Sequence, residues 1–136
     1  MRPEIEFEVA GFPPAKSEAR SMLGAEHPHA PRVVALLEGA RAAITEGAQP
    51  FGSKLIGLEV VLSSPGSPPS DATNYLGGIG DVLEEKSRRG AFEHLDGLAN
   101  VSLYDNDLQI RELHYRHEDA STTKYTVHLW ELAVEM

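Results

Sequence analysis

The segment 55–62 most constrains the fold of this chain. Its sequence, Leu-Ile-Gly-Leu-Glu-Val-Val-Leu, is short, apolar and rich in branched residues, which is typical of a strand that is largely buried. Such a strand needs neighbouring strands and covering helices. With 136 residues and no cysteine, the chain is long enough to bury this core in one domain, residues 1–136, without disulfides.

Regular patterns before this segment predict a strand and a helix. Residues 4–10 alternate apolar and acidic side chains, and this period of two fits a strand with one solvent-exposed face. Residues 32–46 repeat apolar side chains at helical spacing, so we expect a helix that packs on the sheet. Prolines and other breaks between these two segments predict a loop.

A second helix is predicted after the Ser/Pro-rich turn that follows the buried segment. Ser70 or Asp71 provides a favourable N-cap, and the helix is expected to run to about residue 85. Each glycine inside a helix costs about 1 kcal/mol relative to alanine. This helix contains three: Gly77, Gly78 and Gly80. We therefore expect another part of the backbone to approach the helix closely there.

The C-terminal third predicts two more strands. Residues 108–115 and 125–134 alternate in hydrophobicity, and we expect them to form an antiparallel hairpin. A short helical piece is a candidate at 92–98, and Trp130 is expected in the core or at a dimer interface. The order β-α-β-α-β-β predicts an α/β (α+β) single domain with a mixed sheet and helices packed on it.

Charge and hydropathy limit the classes of function. The 12 Lys and Arg residues against 21 Asp and Glu give a formal net charge of -9, which disfavours nucleic-acid binding because phosphate contacts dominate that affinity. Local basic patches matter more than the total, however. Two are visible, Lys16 with Arg20 and the cluster at 86–89. Because no apolar run has the length of a membrane span and the start lacks a secretion signal, we expect a cytoplasmic, non-membrane protein.

Two acidic segments are the candidates for chemistry. Asp71 opens the second predicted helix, which also carries Asp81, and Asp105 and Asp107 lie between two strand-like runs. If the fold brings these segments together, their carboxylates would suit a hard divalent cation such as Mg²⁺ or Mn²⁺. A metal held in this way can act on phosphodiesters.

Ordinary structural roles would also explain each carboxylate. Aspartate is a favoured helix N-cap, which is sufficient for Asp71. The sequence from Asp105 to Asp107 is typical of a turn. Asp81 would be explained by solvation or by a nearby cationic partner.

Spacing and surroundings connect these residues to one known family. Asp71-Ala72-Thr73-Asn74-Tyr75 is similar to a helix opening Asp-x-Asp-Asn-Leu, and Asp81-Val82-Leu83 to a later Asp followed by Ala-Leu. Asn106-Asp107-Leu108-Gln109-Ile110 is similar to a downstream Asp-Asp-x-Gln-Val, and residues 12–20 resemble a proline-rich basic loop. The chain thus resembles the RusA-type Holliday-junction resolvases along almost its whole length. It departs from their pattern at three positions: Thr73, Gly77 and Asn106.

The resemblance implies a metal-dependent endodeoxyribonuclease that acts on branched DNA as a homodimer. It implies that Asp71 and Asp107 are catalytic and hold Mg²⁺ or Mn²⁺. Since Thr73 replaces one of the usual three carboxylates, Asp105 or Asp81 would have to add a ligand. Three further residues would contact DNA by the same resemblance: Lys16, Arg20 and Asn74.

Two rival interpretations stay open from sequence. One is a catalytically degenerate RusA-like module that binds DNA or protein, which the loss of an acid at Thr73 and the charge of -9 favour. The other is an unrelated acidic α/β ligand-binding domain. It requires the two acidic motifs to be a coincidence, and it predicts that Asp71 does not meet Asp107 in space, whereas the nuclease interpretation predicts that their carboxyl groups lie close enough to share one metal ion.

Overall fold

The structure, a computed structural model, describes residues 3–16, 29–85, 98 and 100–132. Its elements in chain order are β1 (Glu4–Ala10), α1 (Ala30–Thr45), β2 (Ile56–Ser64), α2 (Ala72–Leu83), a 3-10 turn (Asp107–Gln109), β3 (Ile110–Asp119) and β4 (Lys124–Glu131). The predicted α/β (α+β) class is confirmed, because a mixed four-stranded sheet carries two helices. The candidate helical piece at 92–98 lies outside the described residues, except for Leu98.

The order of strands in the sheet is β1-β4-β2-β3. β4 runs antiparallel to both β1 and β2, whereas β3 runs parallel to β2. The predicted hairpin between the last two strands is therefore wrong, since β2 separates them. Their side chains explain the placement: β4 buries Tyr125, Val127 and Leu129, which suits an inner strand, whereas β3 is exposed along most of its length and suits an outer one.

One face of the sheet packs against both helices and forms the core. β2 buries Ile56, Leu58, Val60 and Leu62 completely, as its apolar sequence predicts. α1 places its buried residues at helical spacing: Val33, Leu36, Leu37, Ala40 and Ala43. This helix begins two residues before the predicted start, with Pro31 in its first turn, where a missing N–H costs nothing. No described helix is long and apolar enough to cross a membrane.

The predicted close backbone approach to α2 occurs at Gly78. A Cβ atom on Gly78 would lie 2.1 Å from the carbonyl oxygen of Pro14, so no other residue fits there without movement. The segment after β1 lies along α2 at this point, and the N–H of Lys16 donates to the carbonyl of Asn74 at 3.0 Å. This contact holds Lys16 against the first turns of the helix.

Candidate functional site

The first acidic motif forms the N-terminal cap of α2. The Oδ1 atom of Asp71 accepts a hydrogen bond from the backbone N–H of Asn74 at 2.8 Å and one from the hydroxyl of Thr73 at 3.0 Å. The capping role that sequence allowed for Asp71 is therefore confirmed. Thr73, which departs from the family pattern, supports the same cap through its hydroxyl. The carboxylate of Asp71 remains exposed at the surface.

The second acidic motif forms a capped 3-10 turn. Asn106 is its N-cap, and the side-chain oxygen of Asn106 accepts the N–H of Leu108 at 2.8 Å. Gln109 completes a capping box because its Oε1 accepts the N–H groups of Asn106 and Asp105, at 2.7 and 3.0 Å. Asn106, another departure from the family pattern, thus has a structural function in this chain.

Gln109 anchors this turn to the rest of the domain, and sequence reasoning missed it. The side chain is buried, and its Nε2 donates to the carbonyls of Gly52 and Lys54 at 2.8 and 2.7 Å. With the two bonds that Oε1 accepts, both ends of the amide are satisfied. The signal was present in the sequence as Asn106 followed three residues later by Gln109, the spacing of a capping box.

The two motifs meet at a cavity of about 300 Å³, which we call the helix-side cavity. Its polar lining residues are Lys16, Thr73, Asp81 and Asp107, and its apolar side chains are Leu76, Ile110 and Leu113. Residues from the segment after β1, from α2, from the 3-10 turn and from β3 thus share one concave surface. Asp71 and Asp105 are not among the residues that line it: Asp71 caps the helix beside Thr73, and Asp105 is exposed before the turn.

A lysine lies among the carboxylates of this cavity. The Nζ atom of Lys16 is 3.4 Å from Oδ2 of Asp81, which confirms a cationic partner for Asp81. The stem of Lys16 passes over Gly77, where an added Cβ would lie 3.2 Å from its Cδ. Because about half of the lysine side chain is exposed, the ion pair contributes little to stability.

Glu84 and Arg111 add charge near the turn, and sequence reasoning selected neither. The backbone N–H of Asp107 donates to Oε2 of Glu84 at 2.7 Å, which places a further carboxylate beside Asp107. The Nε of Arg111 donates to the carbonyl of Leu108 at 3.2 Å. Glu84 lies three residues after Asp81, a spacing that puts two side chains on one side of a helix, and this was the available signal.

Two carboxylates of the helix-side cavity are the candidate ligands for a divalent cation. Within the described residues, no group of three His, Asp or Glu side chains is arranged to hold a metal ion. The helix-side cavity instead offers two carboxylates, Asp81 and Asp107. Mg²⁺ is commonly bound by one or two carboxylates together with substrate phosphates and water. Such an ion would compete with Lys16 for Asp81.

Of the other two predicted DNA-binding residues, Asn74 and Arg20, the structure describes only Asn74. Asn74 is exposed in the first turn of α2, next to the residues that line the cavity. Arg20 and the basic cluster at 86–89 lie outside the described residues. Comparison with known proteins gives no matching family model and no matching curated relative, so the cavity must be judged on its own geometry.

Proposed function

We propose that this chain is a metal-dependent endodeoxyribonuclease that hydrolyses phosphodiesters of branched DNA, as RusA-type Holliday-junction resolvases do. One observation carries the proposal. Asp81 on α2 and Asp107 in the downstream motif, which are distant in sequence, line one cavity together with Thr73 and Lys16. The third interpretation from sequence, an unrelated domain, predicts that Asp71 does not meet Asp107, and Asp71 is not among the residues that line the cavity. That interpretation gives no reason, however, for Asp81 and Asp107 to line one cavity.

The residues of the helix-side cavity have separable roles in this proposal. Asp81 and Asp107 would hold Mg²⁺ or Mn²⁺, with Asp71 and Asp105 at the margin of the site. Such an ion polarises a phosphate and activates water. Lys16, once released from Asp81, supplies an ammonium for a DNA phosphate, and Arg111 supplies a guanidinium beside the turn. A chain with a net charge of -9 needs such local cations in order to bind DNA phosphates.

Formation of a dimer through β3 would place two copies of the site about a two-fold axis. β3 is an outer strand of the described sheet and is largely exposed, with Leu113 54% exposed. Antiparallel pairing of two β3 strands about His114 would oppose Glu112 to Arg116 and Leu113 to Tyr115, which are favourable cross-strand pairs. Because Leu113 lines the helix-side cavity, the two cavities would lie on the same side of the dimer. A two-fold pair of sites matches the symmetry of a four-way junction.

A degenerate binding module is the second candidate, and two observations favour it. Asp81 already has a cationic partner in Lys16, and Thr73 serves the helix cap through its hydroxyl. In this case the protein would bind branched DNA without cutting it, or would bind another protein.

Cleavage of a labelled four-way junction beside a linear duplex, with Mg²⁺ or Mn²⁺, tests the proposal. We expect metal-dependent cutting of the junction, reduced more than about 100-fold in Asp107→Asn, which exceeds the usual effect of outer-shell partners. Asp119→Asn is the matched control because Asp119 is exposed at the far end of β3. Binding of the junction without cutting by the wild type would favour the degenerate module. No binding and no cutting would contradict both candidates.

A further inference from the structure

The second face of the sheet, which we call the open face, carries a charged pattern. Phe7 and Val9 of β1 lie under α1, within 3.2 Å of where a Cβ on Gly39 would be, so the alternating glutamates of β1 point to the other side. On that side, the strand register aligns four residues in one row: Glu6, His128, Glu59 and His114. The adjacent row contains Glu4, Trp130, Gly57 and Glu112.

Trp130 forms an aromatic platform in the centre of this face. A Cβ on Gly57 would lie 2.3 Å from Cε2 of the indole, so the ring rests directly on the backbone of β2. The imidazoles of His128 and His114 flank it, with centroids 5.1 and 6.1 Å from the indole centroid. Since the backbone covers one side of the ring, its other side is the one available to a ligand.

A cavity of about 370 Å³, the open-face cavity, lies over this platform. Its lining residues are Glu4, Glu59, His114, His128 and Trp130. Oε2 of Glu4 is 2.9 Å from Nε2 of His128, and Oε2 of Glu6 is 4.0 Å from its Nδ1. Among these described lining residues there are two carboxylates and no lysine or arginine. The cavity therefore combines an aromatic face with an excess of negative charge.

Two basic side chains of the sheet are paired with glutamates that do not line this cavity. Lys124 at the start of β4 forms an ion pair with Glu8 at 3.3 Å. Arg116 on β3 forms one with Glu118 at 3.0 Å. Neither basic side chain lines the open-face cavity. Because Glu4 is already engaged by His128, Glu59 is the first carboxylate that a cation from another molecule would meet.

An arginine side chain has the chemistry that this cavity recognises. Guanidinium groups stack on indole rings and donate two parallel hydrogen bonds to carboxylates. Self-association through the open face would oppose the glutamates of one copy, Glu4, Glu6 and Glu59, to those of the other, and like charges repel.

We propose that the open-face cavity binds an arginine side chain from a basic segment of a partner protein, with the guanidinium stacked on Trp130 and paired with Glu59 or Glu4. The glutamates around the cavity, Glu6 and Glu112, would attract neighbouring basic residues of the same segment. This surface is separate from the helix-side cavity, so the proposal stands or falls independently of nuclease activity.

Fluorescence provides a direct test because Trp130 is the single tryptophan in the sequence. The probe is an acetylated and amidated peptide with two arginines separated by glycine, titrated into the full chain. The matched probe contains citrulline, which is neutral and similar in shape. We expect a saturable change in emission with the arginine peptide, none with the citrulline peptide, and binding about tenfold weaker in Glu59→Gln.

Glu8→Gln is the matched control variant, because Glu8 is on the same face and its loss changes the net charge equally. Glu4→Gln provides a second variant in the cavity, and far-UV circular dichroism confirms that each variant is folded. Equal responses to arginine and citrulline, or equal weakening in Glu59→Gln and Glu8→Gln, would overturn the proposal. Equal binding of a lysine peptide would overturn the arginine assignment. The same emission change on raising the protein concentration without peptide would instead assign the face to a second copy.

Discussion

The helix-side and open-face cavities are similar in size, and each contains two carboxylates, yet they suit different ligands. In the helix-side cavity, Asp81 and Asp107 share a partly apolar concavity with the ammonium of Lys16. In the open-face cavity, Glu4 and Glu59 surround imidazoles and an indole. The neighbours of a carboxylate pair influence which ligand it suits: in our two proposals, the first pair would exchange a lysine for a metal ion, whereas the second would bind an organic cation.

The two cavities also have different structural origins. The helix-side cavity depends on contacts between distant segments, above all on the approach of the Pro14 carbonyl to Gly78. The open-face cavity depends on the register of neighbouring strands, which sets Gly57 opposite Trp130. Separate substitutions should therefore disrupt each cavity while leaving the other one intact.

Gly78→Ala should have the largest effect, and it should damage the helix-side cavity. The added methyl group would overlap the Pro14 carbonyl, which belongs to a backbone held by the Lys16–Asn74 hydrogen bond. We expect the free energy of unfolding to fall by about 2–3 kcal/mol, measured by urea denaturation.

The neighbouring substitution Gly77→Ala is the matched control. Its Cβ would meet only the flexible stem of Lys16, at 3.2 Å, and alanine is favoured in a helix by about 1 kcal/mol. We therefore expect it to be neutral or stabilising. Equal losses in the free energy of unfolding of both variants would show that the contact between Pro14 and Gly78 does not determine the stability of this region.

Gly57→Ala should have an intermediate effect, confined to the open face. The methyl group would displace the half-buried indole of Trp130, at a cost of about 1–2 kcal/mol in the free energy of unfolding. We expect a red shift in tryptophan emission and loss of arginine-peptide binding. Junction binding should remain unchanged, and a parallel loss of junction binding would contradict the independence of the two cavities.

Tyr125→Phe should have the smallest effect on the free energy of unfolding at neutral pH. Its effect at alkaline pH tests whether the side of the sheet that the helices cover excludes water. Burial raises the pKa of the Tyr125 hydroxyl, and the charge of Arg32 opposes this only in part. An unfolded tyrosine loses its proton near pH 10, before the folded one. The free energy of unfolding should therefore fall as pH rises above about 10 in the wild type, and fall less in Tyr125→Phe.

Tyr104→Phe is the contrasting variant for that experiment. The hydroxyl of Tyr125 has no hydrogen-bond partner among the described residues, whereas that of Tyr104 donates to the Gly80 carbonyl. At pH 7 we expect Tyr104→Phe to lower the free energy of unfolding by about 1 kcal/mol and Tyr125→Phe to lower it by less. The same alkaline decline in Tyr125→Phe and wild type would rule out Tyr125 as its source.

Local patterns predicted most of the fold. The bounds of β1 agree with the sequence pattern, and those of α1, β2 and α2 differ by about two residues at either end. The hairpin was wrong because alternation identifies a strand and does not identify its neighbours. Similar patterns in β3 and β4 conceal that one strand is exposed at the edge and the other is buried between β1 and β2. β3 also starts later than predicted because Leu108 and Gln109 belong to the 3-10 turn.

The sequence predicted which residues belong to the candidate site better than it predicted how they contact one another. Of the residues selected from sequence, Lys16, Asp81 and Asp107 line one cavity, whereas Asp71, the carboxylate expected to hold the metal with Asp107, does not line it. Sequence reasoning could not reveal that Lys16 crosses Gly77 to reach Asp81, because that contact depends on the path of the chain after β1. Glu84 was missed for the same reason, since its partner Asp107 lies 23 residues away. The local capping box of Gln109 was visible in sequence, but its anchoring partners Gly52 and Lys54 were not, since they lie 57 and 55 residues away.

Binding of Mn²⁺, followed by the electron paramagnetic resonance signal of the free ion, tests the central claim that Asp81 and Asp107 form a divalent-cation site. We expect the wild type to take up Mn²⁺ in the presence of junction DNA, Asp107→Asn to lose this uptake, and Asp119→Asn to retain it. Lys16→Met should bind the ion more tightly because Asp81 loses its competing partner. Unchanged uptake in Asp107→Asn, or no uptake even in Lys16→Met, would contradict the claim.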